Sequence, residues 1–141
     1  MQLNQWRESG QFLDINHQRV FYQTEGNGPV LLLIHGYPTA SFDWIKLWPT
    51  LTKTFRCVTL DMLGFGFSTK APKKYLIKEQ TAVISVLMEH LKVSHAHVLS
   101  HDYGDTVAQE LLAQPLEKSL SFSINSLHLL NGGLFPERSW P

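Results

Sequence analysis

Four short apolar runs recur along the chain with helix-patterned segments between them, and this alternation restricts the fold more than any other feature. Val30–Ile34, Phe55–Leu60, Ala96–Leu99 and Leu127–Leu130 are mostly apolar, the pattern of strands buried on both faces. Between the first two, Ser41 to about Leu51 carries Trp44, Leu47, Trp48 and Leu51 at helical spacing, and Pro49 is expected to shorten or kink that helix. Glu79–Lys92 reads as a helix with Val83, Val86, Leu87, His90 and Leu91 on one face. Tyr103–Gln114 reads as another, with Val107, Ala108, Leu111 and Leu112 inward. Ahead of the first run, Gln11–Ile15 and Gln18–Thr24 alternate apolar and polar residues, predicting two antiparallel strands joined near Asn16-His17. Gly26-Asn-Gly28-Pro29 is a turn. Strands that alternate with helices need crossover connections, so the expected fold class is α/β: a mostly parallel sheet with helices on both faces.

At 141 residues the chain is a little short of one typical domain, whereas many α/β domains are considerably longer. Lys and Arg number 12 and Asp and Glu 12, giving a net charge of zero. That balance argues against nucleic acid or a polyanionic surface as the main partner. The lone cysteine, Cys57, excludes an internal disulfide, lies inside an apolar run and suits a reducing compartment. No run approaches the roughly 20 apolar residues of a membrane span. The opening MQLNQWRESG lacks the pattern of a secretory signal. The expected location is cytoplasmic, with the oligomeric state left open. The basic stretch Lys70-Ala-Pro-Lys73-Lys74 reads as a solvated loop.

In parallel sheets chemistry gathers at the carboxyl ends of the strands. That rule selects His35–Thr39, Asp61–Ser68, Ser100–Asp105 and Asn131–Phe135. The third has a distinctive form: Ser100-His-Asp102-Tyr-Gly104 joins a buried strand directly to a helix. The turn is crowded, so the residues two before and two after its apex must be small; around Asp102 they are Ser100 and Gly104. Ser100 would be flanked by Val98 and Asp102, and Asp105 by Tyr103 and Val107, so neither fits the apex. Asp61 reads as a hydrogen-bonding residue that closes its own loop.

Val98-Leu-Ser-His-Asp-Tyr-Gly-Asp105 resembles the nucleophile elbow of α/β-hydrolase-fold enzymes with an aspartate nucleophile, the epoxide hydrolases and haloalkane dehalogenases. His35-Gly-Tyr-Pro38 and Asp61-Met-Leu-Gly-Phe-Gly-Phe-Ser68 resemble two further loops of the same family, in the same order. His101–Leu112 and Leu127–Glu137 are similar to its mesoderm-specific transcript branch. The resemblance spans about Trp6 to Glu137. It implies that Asp102 attacks a saturated carbon to form an alkyl-enzyme ester. It also implies an oxyanion hole made by the backbone N–H groups of Tyr37 and Tyr103. His35, Gly36, Pro38, Trp44 and His101 are the expected substrate-binding residues. The expected substrate is small, largely apolar and electrophilic, an epoxide ahead of a haloalkane. Tyr103 stands where many dehalogenases carry Trp, and Tyr37 where many carry Asn.

Hydrolysis of such an ester needs a histidine base oriented by an acid. The resemblance puts that histidine well downstream, past a lid, and none of the seven histidines here matches it. Residues 1–141 are therefore expected to be the N-terminal part of one α/β-hydrolase domain, with the lid and the part bearing the catalytic histidine absent. The alternative is a truncated, non-catalytic hydrolase-fold protein that acts in binding or is vestigial. No cofactor is expected. No metal is expected either: His95, His97 and His101 share a strand face but span roughly 20 Å at the strand rise.

Overall fold

A computed structural model describes residues 1–114 and 120–131. A short helix α1 (Leu3–Ser9) leads into strands β1 (Gln11–Ile15), β2 (Gln18–Glu25) and β3 (Val30–Ile34). A 3₁₀ turn (Ser41–Trp44), helix α2 (Trp48–Leu51) and strand β4 (Arg56–Leu60) follow. The chain continues through α3 (Ile77–His90), β5 (His95–His101), α4 (Tyr103–Ala113) and β6 (Ser123–Leu130). The sheet order is β1-β2-β4-β3-β5-β6. β1 and β2 pair antiparallel, as do β2 and β4, while β4–β3, β3–β5 and β5–β6 are parallel.

Side chains alternate across the central strands, so each strand feeds two cores. Leu32, Ile34, Val58 and Leu60 face α3 and α4, where they meet Ile84, Leu87, Met88, Val107 and Leu111. Leu31, Leu33 and Cys57 face the other way and meet Trp6, Trp44 and Trp48. Helices therefore cover both faces, as expected. Burial raises the Cys57 thiol to about 11, in keeping with a core residue.

The structure corrects the sequence reading at several elements. The segment from Ser41 to Leu51 is a 3₁₀ turn and a four-residue helix, because Pro49 can occupy only a first helical turn. α1 was not anticipated; seven residues with one apolar anchor, Trp6, show no amphipathic period. In α3, Val86 is exposed, and so is His90; Gln80, Thr81 and Ile84 are buried instead. Leu112 on α4 is likewise exposed. β5 reaches His101 rather than stopping at Leu99. β6 begins at Ser123 and carries no fully buried residue, since it is the edge of the sheet among the described residues. The expected loop at Asn131–Phe135 falls, beyond Asn131, outside the described residues.

Candidate active site

The carboxyl ends of β3, β4 and β5 converge. β5 ends at His101 and α4 begins at Tyr103, so Asp102 is the sole residue between strand and helix. Its backbone sits at φ 53° and ψ −118°, outside the left-handed well and strained for a side chain with a Cβ. Two contacts explain why small residues surround it. A Cβ on Gly104 would stand 2.5 Å from the His35 carbonyl oxygen and 2.6 Å from that of Ile34. A Cβ on Gly36 would stand 2.8 Å from the Asp102 Cβ. The bare backbone of these glycines lets the β3 loop and α4 close on the turn.

The backbone N–H of Tyr37 donates to Asp102 Oδ2 at 3.0 Å. Tyr103 is the first residue of α4, where an N–H has no acceptor within its own helix. The positive end of the α4 dipole lies at Asp102, the N-cap residue, whose side chain makes no capping hydrogen bond. The Asp102 N–H is held by the Leu130 carbonyl at 3.0 Å, which ties the apex to β6.

His35 is fully buried, and both ring nitrogens are used. Nδ1 contacts the Gly36 carbonyl oxygen at 2.8 Å, and Nε2 accepts the Met62 N–H at 3.0 Å. Because Nε2 accepts a backbone N–H, the ring hydrogen sits on Nδ1, and burial pushes the His35 pKa down. It joins the end of β3 to the loop after β4. Pro38 is exposed beside a cis Tyr37–Pro38 bond. Trp44 is a core residue whose indole N–H has no hydrogen-bond partner. With Asp43, Leu47 and His101 it lines a cavity of about 250 Å³.

Asp61 closes its loop as expected. Oδ1 accepts the Ser41 N–H and Oδ2 the Phe67 N–H, both at 2.8 Å, and its carbonyl accepts the Ser68 hydroxyl at 2.6 Å. A larger cavity, about 300 Å³, opens beside the turn, with the side chains of Tyr37, Phe65, Tyr75 and Tyr103 in its wall. Burial pushes the Tyr103 phenol up, while a hydrogen bond with Gln80 pulls it back.

Sequence reasoning missed the role of Asp105. Fully buried under the turn, its Oδ1 accepts the Ser100 hydroxyl, and Oδ2 has no partner. The bond spans the apex, from the last turn-facing residue of β5 to the first turn of α4. Burial raises its pKa and the neighbouring Asp102 raises it further; Ser100, the Leu130 backbone and His101 pull the other way. The legible signal was an acid in the first turn of a helix, three residues past the apex. Among the described residues, no group of histidine, cysteine or acidic side chains is arranged to hold a metal. No helix there is long and apolar enough to cross a membrane.

Residues 29–140 match the family model described as alpha/beta hydrolase fold. The chain is 45% identical to the bovine (Bos taurus) mesoderm-specific transcript homolog protein, over 99% of this chain and 44% of that protein. It is 32% identical to haloalkane dehalogenase 2 of Mycobacterium bovis, over 76% of this chain and 38% of that protein. Superposed on the epoxide hydrolase CorEH it gives a TM-score of 0.80 at 27% identity, covering 94% of this chain and 46% of that one. The chain thus spans less than half the length of each of these relatives.

Proposed function

This chain belongs to the alpha/beta hydrolase fold family, and on that premise we propose that Asp102 is the nucleophile of a hydrolase acting on epoxides. The observation that carries the reading is the carboxylate at the apex of a strained strand-to-helix turn, with one oxygen already held by the Tyr37 N–H. A carboxylate is ionised at neutral pH and needs no base to attack. Asp102 Oδ1 displaces the ring oxygen from an epoxide carbon: a C–O ester bond forms, the ring C–O bond breaks, and the alkoxide takes a proton from an acid that this reading places in the part of the relatives' length that residues 1–141 do not cover. Oδ2 is then the ester carbonyl oxygen. When water adds to the carboxyl carbon, negative charge develops on Oδ2, beside the Tyr37 N–H and the Tyr103 N–H at the head of α4. Collapse releases a diol and returns the carboxylate. Water yields its proton to a base that this reading places in the part of the relatives' length that residues 1–141 do not cover. Residues 1–141 then form the N-terminal part of the domain. A single buried thiol suits a cytoplasmic setting.

The epoxide is preferred to the haloalkane because Tyr37 and Tyr103 stand where many dehalogenases carry an amide and an indole that hold the halide. The test is intact-mass and peptide mapping of the complete gene product after exposure to styrene oxide. An adduct on Asp102 is expected, and Asp102→Asn should lower turnover by about a thousandfold or more. Full activity in that variant would sink the assignment.

A further inference from the structure

Lys70, Lys73 and Lys74 stand on the wall of the same 300 Å³ cavity that receives the Tyr37 and Tyr103 side chains. All three are exposed, as the reading of a solvated loop expects. The remaining wall is aromatic and apolar: Phe65 packs against Tyr37 and Tyr103 at centroid distances of 6.1 and 5.8 Å, and Leu63 and Tyr75 complete it. The lysines are differently engaged. Lys70 Nζ donates to the Gly66 and Ser68 carbonyls. Lys73 pairs with Glu79 at 2.7 Å and lies 5.0 Å from the Tyr75 ring centroid. Lys74 has no ion-pair partner among the described residues. Glu79 pairs with Lys73 alone, which leaves Lys74 as the cavity-lining lysine with no carboxylate partner among the described residues.

Resting on the Asp102 reading, we propose that the site takes an epoxide carried on a small aromatic body that ends in a carboxylate. The ring lies along Phe65 and the two tyrosines, the epoxide carbon reaches Asp102, and the carboxylate sits toward Lys73 and Lys74. Partly exposed charges attract modestly and are screened by salt, so the expected effect is a substrate preference that ionic strength erodes.

The test compares kcat/KM of the complete gene product for styrene oxide and for its para-carboxylate. In K73Q/K74Q the ratio of carboxylate to neutral substrate should fall about fivefold, and added salt should lower the wild-type ratio toward the variant's. A ratio that neither the variant nor salt changes overturns the proposal. If neither epoxide reacts and Asp102 is not alkylated, the nucleophile assignment has failed by itself. Calorimetric titration with 4-ethylbenzoate and 4-ethylbenzyl alcohol then decides the anion site separately. Tighter binding of the benzoate that K73Q/K74Q abolishes supports it, and equal binding of the two overturns it.

Discussion

At the scale of single residues, the site is held together by side chains hydrogen-bonded to the backbone of neighbouring loops. His35 spends both ring nitrogens on backbone, and Asp61 spends both oxygens on two loops. Asp105 is the outlier, a fully buried carboxyl with one unpartnered oxygen beneath the apex. Its raised pKa means that the folded chain binds more protons than the unfolded chain above the ordinary value of 3.8. The associated stability is fully present below that value and is lost as pH rises through the higher folded value. Asp105→Asn keeps an acceptor for Ser100 and removes the titration. Urea unfolding at a series of pH values should therefore show wild type losing stability relative to the variant as pH rises from 4. Parallel pH curves for the two proteins would contradict this account.

At the scale of elements, α1 shows how a short helix is stabilised by what it meets. Trp6 is its one buried residue; the indole N–H donates to Ser41 Oγ at 3.1 Å, and the ring meets Trp48 edge-on at 5.2 Å. Ser41 in turn donates its N–H to Asp61. One side chain thus links the N-terminus to the loop after β4. Trp6→Ala should cost about 3–5 kcal/mol in urea unfolding, as for other buried large aromatics. A loss below about 1 kcal/mol, the range of surface substitutions, would mean that α1 is not docked as described.

At the scale of the whole molecule, the two sheet faces differ. α3 and α4 cover one face. The other is covered by α1, the 3₁₀ turn and α2 over β2, β4 and β3, while toward β5 and β6 it opens into a cavity of about 490 Å³. Leu31, Phe55, His97, Leu99 and the outer residues of β6 line it. β6 is also an edge with unpaired backbone groups among the described residues. An open edge and an apolar recess favour association. The 141-residue chain expressed by itself should elute above its monomer mass of 16.1 kDa and bind a hydrophobic dye. A monodisperse monomer that binds no dye would show that this face is satisfied as it stands.

The sequence alone determined the strands, their order along the chain and the apex of the turn. Aliphatic runs, alternation and the small residues around Asp102 are local patterns, and local backbone sterics enforce them. It also determined that Asp61 closes a loop, since a short carboxylate before a glycine-rich stretch has backbone N–H groups within reach. Tertiary structure decided what depends on partners distant in sequence. α1 exists because Trp6 finds Ser41 and Trp48. His35 is locked by Met62, 27 residues on. The lysines of the Lys70–Lys74 loop border the cavity only because the loops after β3 and β4 and the head of α4 meet there. Periodicity marks which face of a helix turns inward, but which distant side chains meet at the cavity is a property of the assembled sheet.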